Sequence, residues 1–176
     1  MKVVGEGIKI TGAGIWHTNL QFTSDQKGGG GIVGNCSNVE ICNMYVNSNL
    51  RSRYSEQANY KCFANVFENG SVIHDIWEEH FECGFWFGDY DGNTNYSDGV
   101  KVVNCRIRNN LADGVNFCKG TSNAAVFNCS VRNNGDDGLA MWNDDYKCKD
   151  ETGNIFAYNT IDFIWRAGGI AVYGGN

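Results

Sequence analysis

Three aspartates have the type and spacing to do chemistry together. Asp113 and Asp137 occupy equivalent places in two similar segments, and Asp136 directly precedes Asp137. If the two segments stack as neighbouring strands, the Cα atoms of Asp113 and Asp137 lie about 5 Å apart. Strict strand alternation would turn Asp136 inward, but Gly135 and Gly138 predict a bend that lets both carboxylates face outward. The sequence therefore predicts three carboxylates in one small patch.

A patch of this kind suits acid–base catalysis. Stacked carboxylates disfavour one another's ionisation, so at least one of the three pKa values is expected to rise. Glycoside hydrolysis needs such a set, because one carboxylic acid protonates the leaving oxygen while a carboxylate acts on water or on the anomeric carbon. Spacing alone leaves two other interpretations open: a calcium site, and solvated turn aspartates of the Asp-Gly type.

Aromatic residues near this patch favour a sugar as the ligand. Trp86 and Trp142 fall on the same side of the coils as the aspartates, and Trp165 and Tyr173 follow on the next coil. Exposed aromatic faces suit sugar rings, which present C–H faces for stacking. The alternative is that these rings cap the core at its corners. The predicted substrate-binding set is Trp86, Trp142, Trp165, Tyr173 and Asn116.

The elements that must position these residues come from an internal repeat. Residues 103–117 align without a gap with residues 127–141, at an offset of 24. An earlier copy lies at 73–87, a later one at 161–173 and a weaker one at 39–46. Self-similarity at this period indicates a solenoid. Within each copy the apolar residues alternate, which predicts two short strands with inward side chains. The predicted inward residues are Val103, Cys105, Ile107, Val115 and Phe117, then Phe127, Cys129, Val131, Leu139 and Met141.

The repeat predicts an all-β fold, a right-handed parallel β-helix of about seven coils, each rising about 4.8 Å. It is expected to form a single domain over residues 1–176. Asn109 should stack on Asn133 and Asn110 on Asn134, so that the side-chain amides form a hydrogen-bonded ladder. The 23 glycines, the 23 asparagines and the absence of proline suit a fold with many regularly spaced tight turns.

Three segments interrupt the period. The insertions at 89–98 and 143–151 each follow the second strand of a coil. Inserts in solenoids gather on one face, so these two are expected to wall a groove. The stretch 49–63 is the least regular and is interpreted as a longer loop.

Composition and charge argue against several classes of partner and cofactor. The net charge of −6 argues against a nucleic-acid partner, which needs clustered Lys and Arg. No apolar run could span a membrane, and the N-terminal residues lack the apolar stretch of a signal peptide. The eight cysteines include no CxxC pair, and the equivalent places of Cys105 and Cys129 predict small side chains buried in the stack. No cofactor is expected to be required, although alternating oxygen ligands could hold a structural calcium ion at Asp89, Asp91 and Asn93.

Three stretches of the chain resemble glycoside hydrolase family eighty-seven, the α-1,3-glucanases and mycodextranases. The most specific is Ala-Asp-Gly at 112–114 followed by Asn-Gly-Asp-Asp-Gly-Leu-Ala-Met-Trp at 134–142. The others are Gly-Ala-Gly-Ile-Trp-His-Thr-Asn-Leu at 12–20 and Trp-Arg-Ala-Gly-Gly-Ile-Ala-Val-Tyr-Gly-Gly at 165–175. The resemblance runs through nearly the whole chain.

The resemblance implies an endo-acting, inverting hydrolase that cleaves the α-1,3-glucosidic bonds of α-glucan. Transferred position by position, it makes Asp136 the general acid, with Asp113 and Asp137 activating water. Inversion needs acid and base roughly 6.5–9.5 Å apart, a separation that the diagonal placement of Asp113 and Asp136 is expected to allow. Because the family's members are secreted and larger, the resemblance also implies an extracellular parent protein and a longer catalytic domain.

Two other functions are compatible with the same residues. A polygalacturonase-like pectinase shares the aspartate layout, but it needs a basic subsite and a downstream Gly-His-Gly where this chain has Ala167-Gly168-Gly169. A non-catalytic carbohydrate-binding β-helix, or an inactive fragment, would bind a polysaccharide without releasing reducing ends.

Overall fold

The computed structural model describes residues 1–24, 31–53, 60–88, 95–143 and 149–174. Within these ranges the regular structure is all β, with no helix. The strands are β1 (Lys2–Glu6), β2 (Lys9–Thr11), β3 (Asn19–Phe22), β4 (Ile32–Ser37), β5 (Glu40–Ser48), β6 (Lys61–Glu68), β7 (Val72–Glu79), β8 (Cys83–Phe87), β9 (Lys101–Val103), β10 (Arg106–Arg108), β11 (Val115–Cys118), β12 (Ala125–Phe127), β13 (Ser130–Arg132), β14 (Leu139–Trp142), β15 (Ile155–Ala157), β16 (Thr160–Asp162) and β17 (Ile170–Tyr173).

The strands stack as two parallel sheets around one axis. The first sheet runs β1-β4-β6-β8-β11-β14-β17. The second runs β15-β12-β9-β7-β10-β13-β16, and β5 joins it by pairing with β2, β3 and β7. Strand β7 pairs with β9 through residues 72–74 and with β10 through residues 77–79, so the second sheet bends into two faces. These faces and the first sheet form the predicted parallel β-helix.

Residues with a left-handed backbone conformation lie at equivalent corners of successive coils. The bend between the two faces of the second sheet has positive φ angles at Asn43, Asp75, Asn104, Asn128 and Tyr158. Asparagine and aspartate tolerate this conformation better than other non-glycine residues, because their short polar side chains bond locally. The high asparagine content therefore reflects the repeated corners, as the composition predicted.

The register confirms the repeat. Arg106 pairs with Ser130 and Val115 with Leu139, both at the predicted offset of 24. The amide ladder is also present: Asn133 Nδ2 donates to Asn109 Oδ1 at 2.7 Å. Likewise, Asn110 Nδ2 donates to the Oδ1 of Asn134 at 3.0 Å. Seven strands share the first sheet, and the complete turns between the first and the last of them number slightly fewer than the predicted seven coils.

Two residues that were predicted to point into the core, Val103 and Phe127, do not. Phe127 is 41% exposed and Val103 is only partly buried, whereas Val102 and Val126 are fully buried. The left-handed residue at Asn104, and its equivalent in the next coil, shifts the alternation by one position at the corner. The alternation of inward and outward residues therefore cannot be extrapolated from the strand before a corner to the strand after it.

The core is a column of aliphatic, aromatic and cysteine side chains inside the coils. Cys105 and Cys129 are buried in the stack, as predicted. All seven cysteines in the described ranges are buried and form no disulfide there, and Cys148 lies outside those ranges. Among the described residues there is no helical segment with the length and hydrophobicity of a transmembrane span.

Candidate active site

Two stacked glycines hold neighbouring coils close together beneath the candidate site. Asp113 and Asp137 each precede a glycine at the start of a first-sheet strand, β11 or β14. A Cβ added at Gly114 would lie 2.6 Å from the carbonyl oxygen of Gly138, and one at Gly138 would lie 2.6 Å from that of Gly169. A side chain at these positions would push the coils apart. The glycines thus allow the two aspartates to stack.

Backbone and amide N–H groups orient the stacked carboxylates. Asp113 Oδ1 accepts a hydrogen bond from the backbone N–H of Asp137 at 3.1 Å, and its Oδ2 accepts one from Asn116 Nδ2 at 2.9 Å. Asp137 Oδ1 accepts from the backbone N–H of Gly168 at 2.8 Å. Each aspartate is therefore fixed by the next coil of the stack.

The third carboxylate, Asp136, is held by a residue distant in sequence. The guanidinium of Arg53 forms an ion pair with Asp136 Oδ2, and both side chains are little more than a quarter exposed. One carboxylate oxygen from each of Asp113, Asp136 and Asp137 lies within 4.8 Å of the other two. The predicted convergence of three carboxylates is therefore present, with the Arg53 guanidinium beside it.

The aspartates line a cleft of about 430 Å³. Its walls are formed by Arg53, Lys61, Glu82, Trp86, Asp113, Asn116, Asp136, Asp137, Ala140, Trp142 and Tyr173. The rings of Trp86 and Trp142 meet edge to face with centroids 6.4 Å apart. Lys61 forms an ion pair with Glu82, and its Nζ lies 4.3 Å from the centre of the Trp86 ring. The cleft thus combines aromatic surface with paired charges.

The environment of Asp113 changes its acidity. Burial raises the pKa of Asp113 from 3.8 to about 6, and the charges of Asp136 and Asp137 add to the rise, while the hydrogen bond from Asn116 opposes it. The expected increase of at least one pKa is therefore present. A carboxyl that titrates near neutral pH, beside an arginine-bound carboxylate, is an arrangement that can supply and accept protons.

Four of the five predicted substrate-binding residues line this cleft; the fifth, Trp165, does not. Trp165 is 58% exposed and packs against the backbone at Gly135, where an added Cβ would lie 2.8 Å from its Cζ2 atom. Its role in binding stays a prediction.

The predicted calcium ligands, Asp89, Asp91 and Asn93, lie outside the described residues. Within them, a second group of metal-type donors converges at Glu40, Cys42 and His74. The Lys9 ammonium already lies 2.9 Å from Glu40 Oε1, so this group has its own cation.

Sequence reasoning missed Arg53 and Lys61. Arg53 belongs to the irregular stretch 49–63, where no repeat fixes its register, and Lys61 begins β6 at the end of that stretch. Of the three glutamates on the coil before Asp113, which are Glu78, Glu79 and Glu82, only Glu82 lines the cleft. Glu78 points into the core, where Asn110 Nδ2 donates to it at 2.8 Å.

Comparison with known proteins gives one consistent family. Residues 1–176 match the family model described as α-1,3-glucanase catalytic domain D2. The chain is similar to the Agl-KA catalytic domain at 50% identity and a TM-score of 0.93, over 99% of this chain and 32% of that one. It is also similar to a GH87 α-1,3-glucanase catalytic domain in complex with nigerose, at 28% identity and a TM-score of 0.79, over 99% of this chain and 30% of that one. No curated protein matched.

Further solved structures are aspartate-to-alanine variants of a GH87 α-1,3-glucanase catalytic domain. One, in complex with tetrasaccharides, is 27% identical with a TM-score of 0.82, over 100% of this chain and 30% of that one. Three different aspartates are replaced across these variants, and their positions are separated by 23 residues and by one residue. The chain spans about a third of the length of the structures that it matches.

Proposed function

The chain belongs to the α-1,3-glucanase catalytic domain D2 family, and on this basis we propose that it carries the centre that hydrolyses α-1,3-glucosidic bonds of α-glucan. The observation that carries the proposal is the convergence of three aspartate oxygens within 4.8 Å in an aromatic-walled cleft. Asp113, Asp136 and Asp137 are separated by 23 residues and by one, as are the three aspartates replaced in the GH87 variants. This agreement supports the choice of residues.

In the proposed reaction, Asp136 donates a proton to the glycosidic oxygen as the C–O bond breaks. Asp113 and Asp137 accept a proton from water, whose oxygen bonds to the anomeric carbon with inversion. The raised pKa of Asp113 supports the base role, since a base that titrates near neutral pH is strong enough to accept a proton and still ionised above about pH 6.

Two observations also favour a second assignment. Arg53 forms an ion pair with Asp136, and Asp113 holds a proton more readily than an ordinary aspartate because burial raises its pKa. These facts suit Asp113 as the acid and Asp136 as the carboxylate. The oxygens of Asp113 and Asp136 lie within 4.8 Å of each other, closer than the roughly 6.5–9.5 Å expected for the acid and base of an inverting enzyme, and this separation does not depend on which of the two is the acid.

Leaving-group dependence and product stereochemistry separate these assignments. An aryl α-nigeroside with an acidic phenol needs little protonation, so a variant that lacks the acid keeps activity on it while losing activity on glucan. Asp136→Asn is expected to show this pattern and Asp113→Asn to lose both activities; the reverse pattern would exchange their roles. Proton NMR of the first product is expected to show the β-anomer, and an initial α-anomer would refute inversion.

The pectinase alternative is less well supported by the cleft. The two basic side chains that line the cleft are both in ion pairs: Arg53 with Asp136, and Lys61 with Glu82. A substrate carboxylate would have to compete with these partners. We therefore propose a neutral glucan as the substrate. We also propose that the parent protein acts outside the cell, where such polymers occur.

A substrate panel tests the proposed function. The protein is incubated with insoluble α-1,3-glucan, nigeran, dextran and polygalacturonate, and released reducing ends are measured. Release from the two substrates that contain α-1,3 bonds is expected, with Asp136→Asn as the inactive control that still binds. Release from polygalacturonate alone would support the pectinase, and binding without release by the wild-type chain would support the non-catalytic alternative.

A further inference from the structure

A second cleft lies on the first coils, on the outer face of the second sheet. It has a volume of about 370 Å³, within the range of roughly 300–1,000 Å³ common for ligand sites. It is lined by Ile15, Trp16, His17, Thr18, Asn19, Tyr45, Trp77 and Glu79. None of these residues lines the aspartate cleft, so the two are separate surfaces.

The strand register builds an aromatic wall in this cleft. Tyr45 on β5 pairs directly with Trp77 on β7, and Trp77 pairs with Arg106 on β10. Consecutive coils therefore place these three outward side chains in one row. The Tyr45 and Trp77 ring centroids lie 5.3 Å apart, and the Arg106 guanidinium carbon lies 5.4 Å from the centre of the Trp77 ring.

Trp16 stands above this row and provides an open ring face. Its ring meets Trp77 edge to face, with centroids 5.0 Å apart, and Arg106 lies 5.4 Å from its centre. Nevertheless 69% of Trp16 is exposed. The contacts with Trp77 and Arg106 hold the Trp16 ring in place, and its exposed surface is available to a ligand.

The carboxylate of Glu79, beside the aromatic rings, is held in place by hydrogen bonds. Glu79 Oε1 accepts a hydrogen bond from the Tyr45 hydroxyl at 2.6 Å, and Glu79 Oε2 accepts one from Asn109 Nδ2 at 2.6 Å. The carboxylate of Glu79 is thereby held beside the aromatic rings. A flat apolar surface next to fixed acceptors matches a sugar, which offers a C–H face and hydroxyl donors together.

We propose that this aromatic cleft binds a segment of an α-glucan chain, as a carbohydrate site separate from the aspartates. The ligand is neutral, since Glu79 and Arg106 bring both signs of charge to its edges. The choice of α-glucan, rather than another neutral polysaccharide, rests on the proposed function. Such a site holds the enzyme on an insoluble polymer while the aspartate cleft works on a nearby chain.

The test separates binding from hydrolysis. In the inactive Asp136→Asn background, retention is measured by affinity electrophoresis in gels containing soluble α-1,3-glucan oligosaccharides and by sedimentation with the insoluble polymer. Trp16→Ala is expected to weaken retention about tenfold or more, because the stacking surface is lost. Trp16→Tyr, which keeps an aromatic face, should restore most of it and shows that the loss is not a folding defect.

A matched control is Tyr158→Asn, which removes a still more exposed aromatic side chain from the corner of a later coil. Tyr158 occupies the left-handed corner column, where Asn104 and Asn128 stand in earlier coils, so asparagine suits its backbone. Its retention should equal that of the parent. Undiminished retention of Trp16→Ala would overturn the proposal.

The experiments distinguish an error in the proposed binding site at Trp16 from an error in the proposed catalytic function. In the otherwise wild-type chain, Trp16→Ala should cleave short soluble oligosaccharides at the parental rate and insoluble glucan more slowly. Glucan retention that depends on Trp16, without hydrolysis by the wild-type chain, would leave the second site standing and refute the catalytic proposal. Hydrolysis of insoluble glucan that is indifferent to Trp16 would refute only the second site.

Discussion

Replacing Asp113 with asparagine should stabilise the protein at neutral pH and not at acidic pH. In the folded state the pKa of Asp113 is raised from 3.8 to about 6, chiefly by burial. The folded protein therefore binds this proton more tightly than the unfolded chain does. Stability falls as pH rises from about 4 to about 6, and the full cost is present above that range.

The magnitude follows from the size of the shift. Two pKa units correspond to about 3 kcal/mol, at ~1.36 kcal/mol per unit. Asparagine cannot ionise, so Asp113→Asn escapes this cost. It has one acceptor oxygen instead of two, however, and so loses one of the hydrogen bonds from Asn116 and the Asp137 backbone, at about 1 kcal/mol. The variant should be about 2 kcal/mol more stable than the wild type at pH 7, and about 1 kcal/mol less stable at pH 4.

Urea unfolding at pH 4 and pH 7 measures this directly. The change in the stability difference between the two pH values reports the ionisation of Asp113, because the asparagine side chain does not titrate at either pH. Asp162→Asn, at a half-exposed carboxylate at the end of β16, is the control for the aspartate-to-asparagine change itself. A difference for Asp113→Asn that stays constant with pH would refute the claim that the site holds a destabilised carboxylate.

Three further predictions address catalysis and the stacking of the coils. Plotted against pH, kcat/KM should fall as pH drops below about 6, since protonation of Asp113 removes the base; a fall above about 6 instead would make it the acid. Arg53→Gln should lower kcat/KM about tenfold or more while leaving the unfolding midpoint nearly unchanged, because a charge-assisted bond that positions Asp136 is lost; unchanged kinetics would contradict this role. Gly138→Ala should destabilise the fold by about 2 kcal/mol or more in urea unfolding, since the new Cβ would meet the Gly169 carbonyl oxygen at 2.6 Å; wild-type stability would show that the coils can separate without cost.

The sequence predicted the parts of the molecule that the repeat determines. An offset of 24 residues is enough to stack Asp113 on Asp137 and Asn109 on Asn133, because parallel coils pair equivalent positions. The convergence of the aspartates follows from that register. Four of the five predicted substrate-binding residues line the cleft for the same reason.

The sequence could not predict what the repeat does not determine. Arg53 reaches Asp136 from 83 positions away, through an irregular segment with no counterpart in other coils. Phe127 was assigned to the core because one left-handed corner residue, Asn128, reverses the alternation without changing the apolar pattern. The separation of the carboxylates also depends on side-chain rotamers, which spacing alone does not fix.

The central claim, that the three aspartates act together to cut α-1,3-glucan, is tested most directly by the rate of reducing-end release. Rates are compared for Asp113→Asn, Asp136→Asn and the double variant, on α-1,3-glucan at the pH optimum of the wild type. Residues that act as a unit are not additive, so each single variant should lose about 1,000-fold or more and the double variant should lose little beyond that. A single variant that releases reducing ends at the wild-type rate would contradict the account.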